Sequence, residues 1–480
     1  MPPELWALAI QQLSHDDQRS CLGVSRMFHE LAAKSLFSTV HLFLGIWETC
    51  RGPYSFDDEL EYSKLYRMRS TRSCEILLHI IASPHFAAFV KTLYIHANAE
   101  EGGIPYARVC LEKAICSLRN LRSLIWYDNM PAPTEDTVLC LAASITNLRS
   151  IALYNAPISN AICRAMSQIS GLKRICLLNQ SIFGGQISET PELSQLDFSA
   201  VLEANRDSLE SLAIPAALVH QTPVHFLRDL TELQLCALDD IRDIDMLFRH
   251  SERLESLTLD SQISANFAVM SQYTQRLPHL TSLKIASDAP HMNEADIDAL
   301  ASFVASKVKL RRLDIAVPFM YWSQLERFLS TMSSLKSLDV LGIESIQFVC
   351  DIHELQKIAQ YIPMTLIGLR MNVSTEINSN LAQAECDAWT QIFKQPTKLR
   401  FLHVHDEQTS YIPGIYDLII EIPTLEIIGS RDEAFYSIER DDNGVAVIIP
   451  WSMTKSFSRT KEDFGDEDWA WIMRLHDKFG

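Results

Sequence analysis

The sequence is poor in glycine, and the glycine-rich loops that bind nucleotides are absent. Only 15 of the 480 residues are glycine. No G-x-x-x-x-G-K-[S/T] loop occurs, and no predicted strand is followed by G-x-G-x-x-G, so a nucleotide cradle is not predicted. A G-x-S-x-G nucleophile elbow is missing as well. We therefore expect no cofactor, and we rank an enzyme behind the two binding functions considered below.

Long apolar runs and an excess of positive charge are also lacking. No apolar run approaches the roughly 18 residues of a membrane span, and the N-terminus lacks the basic region of a secretory signal. The formal net charge of −18 repels nucleic-acid phosphates and anionic membranes. The sequence thus predicts a cytoplasmic or nuclear protein that binds neither nucleic acid nor membrane.

Metal-binding and disulfide patterns are sparse. The 11 cysteines are scattered singly without a C-x-x-C pair, which disfavours a zinc site and a disulfide framework, so we expect buried thiols. The spacing closest to a metal site is His403-Val-His405. Because no cysteine or third ligand is nearby in sequence, we favour two exposed histidines on a binding surface over a metal site.

A leucine-rich sequence motif, L-x-x-L-x-L with conservative replacements, is repeated along most of the chain and is called the leucine phrase below. Its copies lie roughly 21 to 37 residues apart, which overlaps the spacing of leucine-rich repeats. Clear copies begin at Leu121, Leu148, Leu172, Leu209, Leu230, Leu254, Leu280, Leu310, Leu335, Leu366 and Leu399. Weaker copies begin at Val90 and Leu425.

Each copy predicts a short strand, because the L-x-L portion places two apolar side chains on one strand face. The intervening stretches have helical spacing, as at Ile297, Leu300 and Phe303. The predicted fold class is therefore an α/β leucine-rich-repeat solenoid over residues 89–431, with parallel concave strands and convex helices.

Residues 1–45 have a different pattern, which predicts three short helices. Pro3 suits a first helical position, and Ser14 and Ser25 suit helix starts. Such a module is too small to bury its apolar side chains well, so it normally needs a partner surface. A helical linker is predicted over residues 46–88. The alternative is that the three helices cap the first repeat.

The apolar spacing of this module resembles an F-box. The positions that carry the resemblance are Pro3, Leu5, Ile10, Leu13, Leu22, Val24, Phe28 and Leu36. Followed by repeats, the module resembles the F-box and leucine-rich-repeat class of ubiquitin-ligase substrate receptors. The resemblance implies that these residues bind a Skp-type adaptor, and through it a cullin, while the repeats bind a target protein. We expect Leu5, Ile10, Leu22 and Phe28 to be exposed in the free chain. The alternative function is a leucine-rich-repeat scaffold unrelated to ubiquitin.

Side chains that alternate with the strand leucines are expected to face the concave surface. In the C-terminal half they include a set of basic and imidazole side chains, namely Lys284, Arg312, Arg370, His403, His405 and Arg431. This set predicts a binding stripe for an acidic or phosphorylated segment of a target. The alternative is that neighbouring acids pair with these bases locally.

Residues 432–480 are predicted to cap the last repeat. Asn443-Gly444 predicts a hairpin, and the stretch from Glu467 predicts an amphipathic helix. Together they would cover the open sheet edge and the core of the final repeat. The alternative is contact with a target by Trp451, Trp469 or Trp471.

Overall fold

The computed structural model describes residues 2–45, 59–99, 101–178, 196–238, 245–261, 267–287, 292–375, 382–405, 413–430, 434–441, 443–452 and 459–474. Strands and helices alternate along most of this part of the chain, which is a mixed α/β architecture. The described residues form two compact units. Unit 1 comprises those up to residue 214 and residues 221–226, and unit 2 comprises residues 215–220 and those from 227 onward.

The helices occupy the N-terminus and the stretches between strands. They are α1 (Pro3–Gln11), α2 (His15–Cys21), α3 (Arg26–Leu36), α4 (Glu59–Ala82), α5 (Pro84–Ala87), α6 (Ile104–Ser117), α7 (Glu135–Ser144), α8 (Asn160–Met166), α9 (Ser199–Ala204), α10 (Val224–Asp229), α11 (Asp245–His250), α12 (Glu294–Ala305), α13 (Trp322–Ser330), α14 (Ile352–Ile358), α15 (Ala382–Lys394), α16 (Ile415–Glu421), α17 (Lys461–Phe464) and α18 (Glu467–Met473). Within the described residues, no helix is long and apolar enough to cross a bilayer.

In unit 1, neighbouring strands are parallel and follow the order of the sequence. They are β1 (Thr39–Phe43), β2 (Thr92–Asn98), β3 (Ser123–Met130), β4 (Ser150–Tyr154), β5 (Arg174–Leu178) and β6 (Ser211–Pro215). Leucines and isoleucines of the repeated phrase lie level with one another. For example, Leu124 pairs with Ile151, and Ile151 pairs with Ile175. These side chains are buried and form the core between strands and helices.

In unit 2, the strands again follow sequence order, and they are parallel until the last two. They are β7 (Glu232–Leu238), β8 (Ser256–Ser261), β9 (Ser282–Ser287), β10 (Arg312–Ala316), β11 (Val340–Cys350), β12 (Gly368–Thr375), β13 (Phe401–His405), β14 (Ile427–Ser430), β15 (Ala434–Arg440) and β16 (Ala446–Pro450). β15 is antiparallel to β14, and β16 is antiparallel to β15. Each unit is compatible with an α/β solenoid.

The register corrects one copy of the repeated phrase. The copy that begins at Leu335 places its strand three residues too early, because Leu313 of β10 pairs with Leu341 of β11. The sequence contains two overlapping frames here, and pairing selects the later one. That frame buries Leu338, Leu341 and Ile343 in the positions that neighbouring repeats use.

The sheet of unit 1 also begins earlier than predicted. β1 pairs in parallel with β2, so that Val40 lies level with Leu93 and Leu42 with Ile95. Phe37-x-x-Val40-x-Leu42 is therefore a further copy of the phrase, which the valine and the aromatic residue concealed. Helix α4, which lies in the stretch predicted to be a helical linker, is therefore placed in sequence between two paired strands.

The cysteine expectation is wrong for one pair. Cys116 of α6 and Cys140 of α7 form a disulfide, with Cα atoms 5.8 Å apart. Packing of neighbouring helices brings these residues together although 24 positions separate them in sequence. Among the other described cysteines, Cys110, Cys163, Cys176, Cys236 and Cys350 are buried thiols, whereas Cys21, Cys74 and Cys386 are partly exposed thiols.

Candidate functional sites

The three predicted N-terminal helices are present, and local capping sets where they begin. Pro3 is the first residue of α1. The Ser14 hydroxyl accepts a hydrogen bond from the Asp17 backbone N–H at 3.1 Å, and the Ser25 hydroxyl accepts one from the Phe28 backbone N–H at 3.2 Å. These bonds satisfy backbone donors that a helix start leaves free.

One side of α1 is apolar and exposed. Leu5 is 50% exposed and Leu8 is 59% exposed, and their spacing of three places them on the same side of the helix. Val24 is 64% exposed, and Leu13 and Met27 are also exposed. Exposed apolar neighbours such as Leu5 and Leu8 are typical of an interaction surface.

The predicted adaptor-binding residues divide into three classes. The exposed class consists of Pro3, Leu5, Leu13 and Val24. The partly buried class consists of Leu22, Phe28 and Leu36. Ile10 is only 1% exposed, so the expectation that it is exposed is wrong. It lies on the side of α1 away from Leu5, and α1 packs against α3.

Sequence reasoning missed Leu8 and Met27 in this module. The spacing of three from Leu5 was the available signal for Leu8. The rings of Trp6 and Phe28 lie 4.9 Å apart and hold α1 against α3.

In unit 2, four charged side chains lie buried on the sheet face opposite the strand leucines. This charged row consists of Lys284, Asp314, Glu344 and Arg370, and each member is at most 4% exposed. Lys284 Nζ lies 2.7 Å from Asp314 Oδ2, and Arg370 forms an ion pair with Glu344. Gly342 lies between Asp314 and Arg370 in the register. A Cβ at this position would collide with the Asp314 carboxylate, so only glycine leaves room for it.

The predicted basic stripe is therefore not an open surface. Lys284, Arg370 and His403 are buried and Arg312 is partly buried, so the expectation of exposure is wrong for the first three. Local pairing with acids, the alternative considered above, describes Lys284 and Arg370. The His403 ring lies 5.3 Å from that of Phe435. His405 ends β13, and its side chain, like the whole of Arg431, lies outside the described part of the chain.

The C-terminal segment, defined here as residues 459–474, covers the charged row. Lys284 Nζ donates hydrogen bonds to the backbone oxygens of Trp471, Ile472 and Arg474 at 2.9, 3.1 and 2.7 Å. These carbonyls close the C-terminal end of α18, where a cation is favourable. At the other end of α18, Arg312 Nη1 lies 3.5 Å from Asp468 Oδ1. Helix α18 is thus held at both ends by basic side chains of the sheet.

Apolar contacts hold the middle of the segment. The Trp469 ring is stacked 6.0 Å from that of Phe401, and Arg400 lies 5.1 Å from the Trp469 ring centroid. Trp469 also lies beside Val340 and Phe401 in one buried cluster. Gly368 lies beside the indole, and a Cβ at this position would be in ordinary van der Waals contact with it at 3.7 Å.

The C-terminal predictions are partly confirmed. The hairpin forms, and the Asp441 carboxylate accepts hydrogen bonds from the Asn443 and Val445 backbone N–H groups inside its turn. It extends the sheet beyond β14, as expected. Helix α18, however, packs on β10, β11 and β12 and not only on the final repeat. Trp469 and Trp471 are buried by this packing.

Burial shifts the pKa values of the charged groups where the segment meets the sheet. It lowers the pKa of Lys284 to about 8, although the Asp314 carboxylate opposes this shift, while Arg370 and Arg474 lower the pKa further. Burial also raises the pKa of Asp468 and lowers the pKa of Arg312. The charge of each of these two residues opposes the pKa shift of the other. Both shifts disfavour the charged forms, which are retained through pairing.

Unit 1 has a second feature that sequence reasoning missed, a row of stacked aromatic rings. The row consists of Phe43, His96, Tyr127 and Tyr154, with successive centroids 4.5, 5.1 and 4.8 Å apart. Each ring follows the last apolar residue of its strand phrase, and that recurrence was the available signal. Burial lowers the pKa of His96 well below its usual range, and the positive charges of His41 and Arg69 act in the same direction.

Within the described residues, no group of three or more His, Cys, Asp and Glu side chains is placed to hold a metal ion. No protein-family model matches the chain. A search of curated proteins found no significant match either.

Proposed function

We propose that the chain is the substrate-recognition subunit of a Skp, cullin and F-box type ubiquitin ligase. The N-terminal helices would bind the adaptor, and the repeats, interpreted as leucine-rich repeats, would bind target proteins. The observation that carries the proposal is the exposed apolar side of α1, where Leu5 and Leu8 lie in a module that resembles an F-box.

The energetic reason is that a three-helix module leaves apolar side chains for a partner to bury. Fully burying a leucine side chain is worth about 1.5 to 3 kcal/mol. Two or three such anchors at the centre of an interface account for much of a typical protein-protein affinity. Leu5, Leu8 and Val24 are suitable anchors because they are already exposed.

The test is coexpression of the full chain with a Skp-type adaptor and a cullin, followed by copurification. The double variant Leu5→Asp/Leu8→Asp should lose adaptor binding, because two carboxylates would be buried without partners. The matched control is Met68→Asp/Val109→Asp, whose side chains are 58% and 49% exposed elsewhere in unit 1. The control should bind like the parent.

Two outcomes count against the proposal. One is copurification of the Leu5→Asp/Leu8→Asp variant at the level of the parent. The other is a parent chain that fails to bind any Skp-type adaptor while keeping its normal melting temperature.

The second candidate function is a repeat scaffold unrelated to ubiquitin, in which α1 to α3 act as a cap. One observation favours it. Phe37 directly follows α3 and also begins the first copy of the leucine phrase, and its ring lies 5.0 Å from that of Phe86. A chain that binds no adaptor, yet aggregates when residues 2–36 are deleted, would support this function.

A further inference from the structure

The C-terminal segment has internal contacts in addition to those with the sheet. Arg459 Nη1 donates to the backbone oxygen of Met473 at 2.6 Å, which joins the beginning of the segment to its end. The Thr460 and Asp463 side chains form a capping box at the start of α17. A peptide of the same sequence can form these contacts when it is bound to the sheet.

The surface under the segment recognises specific chemistry. Arg311 and Arg312 both approach Asp468, at 3.7 and 3.5 Å. An apolar slot formed by Val340, Gly368 and Phe401 receives Trp469. Beyond it, the indole of Trp471 lies near two cations, with Lys284 Nζ 4.8 Å and Arg312 Cζ 5.1 Å from its ring centroid. The surface therefore selects an acidic residue followed by aromatic residues one and three places later.

The floor of this surface is partly ionic, because the charged row lies beside the apolar cluster that contains Val340 and Phe401. Ion pairs buried in a protein recover little more than their desolvation penalty, and apolar residues of similar size are often more stabilising. When the segment leaves, Lys284 and its charged neighbours become hydrated, so opening costs less than it would over an apolar floor. The segment itself contains two short helices, which would not be stable when released.

We propose that the charged row and the apolar slot beside it form a peptide-binding site. Residues 459–474 occupy this site internally, and a partner competes for it with a short segment in which an acidic residue precedes aromatic residues at the next and third positions. The inference goes beyond adaptor docking and does not depend on it, because it involves residues of unit 2 only.

The test uses the full chain and a fluorescein-labelled synthetic peptide of residues 459–474, with binding followed by fluorescence anisotropy. In the receptor variant Trp469→Ala/Trp471→Ala the internal occupant is weakened. This variant should bind the peptide roughly tenfold more tightly than the parent, because a larger fraction of its sites is open. A peptide carrying the same two alanines should not bind. Adding Lys284→Met to the receptor variant should reduce peptide affinity, since the site then lacks the cation that caps α18.

A second receptor variant, Asp468→Lys, covers the case in which removal of both tryptophans prevents folding. It places a cation against Arg311 and Arg312 and should also admit the peptide more readily than the parent. Folding of each variant is verified by its circular dichroism and melting temperature. The proposal is overturned if a folded variant binds the peptide no more tightly than the parent, or if the tryptophan-free peptide binds equally well.

Discussion

Lys284 illustrates how this chain uses a buried cation at the level of a single residue. Its ammonium group donates to three backbone oxygens and pairs with Asp314. Lys307 uses the same arrangement elsewhere in unit 2. It donates to the backbone oxygens of Thr274 and Arg276, each at 2.6 Å. In both places a lysine ammonium group donates to backbone oxygens at the end of a helical turn. These hydrogen bonds offset the cost of burying the charge.

Burial of Lys284 predicts a specific dependence of stability on pH. The pKa falls from 10.5 to about 8 on folding, so between these values the unfolded chain binds more protons. Stability from this group is therefore fully present above pH 10.5 and is lost as the pH falls through about 8. Between these limits it should rise by about 1 kcal/mol per pH unit. The difference in unfolding free energy between the parent and Lys284→Met, measured by urea titration from pH 8 to 10, should change by this slope.

The control is Lys309→Met, which removes an exposed lysine of the same unit. Its free-energy difference from the parent supplies the reference slope with which the slope of Lys284→Met is compared. Lys307→Met should behave like Lys284→Met, because burial lowers the pKa of Lys307 to about 8 as well. A flat difference for Lys284→Met would show that the side chain is hydrated in the folded protein.

At the scale of elements, the sequence predicted what is local and missed what is long-range. The helices α1, α2 and α3 and the hairpin at Asn443-Gly444 depend on caps and turn residues within a few positions, and they were predicted correctly. The position of α18 was not, because its contacts with Lys284 join residues 187 to 190 positions apart. For the same reason, the alternation of side chains along β9 and β12 identified the right face of the sheet but could not show that this face is covered.

The C-terminal hairpin predicts different outcomes for two truncations. Deleting residues 432–480 removes β15, and the backbone groups of β14 that pair with it become an open edge. Such edges promote aggregation, so this variant should scatter light at a lower temperature than the parent. Deleting residues 459–480 leaves β14 paired, and this variant should aggregate less than the longer deletion. If the longer deletion were as soluble and heat-resistant as the parent, the hairpin would not act as a cap.

At the scale of the whole molecule, the leucine phrase indicated the α/β architecture with parallel strands more reliably than the exact frame of each copy. Periodicity identifies which strands exist, because burial of L-x-L is required in every copy. It cannot choose between overlapping frames such as those beginning at Leu335 and Leu338. Nor can it detect a copy such as Phe37-x-x-Val40-x-Leu42, in which only the last of the three positions is a leucine. Pairing with the neighbouring strand settles both cases.

The repeating register also predicts how core substitutions should combine. Leu283 pairs directly with Leu257 on one side and with Leu313 on the other, and all three are fully buried. Each substitution to alanine should cost about 2 to 5 kcal/mol of unfolding free energy, because each leaves a cavity. Neighbouring strands are about 4.8 Å apart, so Leu257 and the buried Leu341, which pairs with Leu313, are separated by roughly three times that distance.

Since stability in repeat arrays is dominated by nearest-neighbour terms, the pair Leu257→Ala/Leu283→Ala should be non-additive by about 0.5 kcal/mol or more. The pair Leu257→Ala/Leu341→Ala, whose members have no directly paired residue in common, should instead be additive within about 0.5 kcal/mol. Double-mutant cycles from urea titrations followed by circular dichroism measure both coupling energies, with the exposed Glu255→Ala as the control for a change on the same repeat. Equal coupling energies for the two pairs would mean that the strands of unit 2 do not transmit packing through their immediate neighbours, and the repeat-by-repeat description would have to be replaced by a single cooperative core.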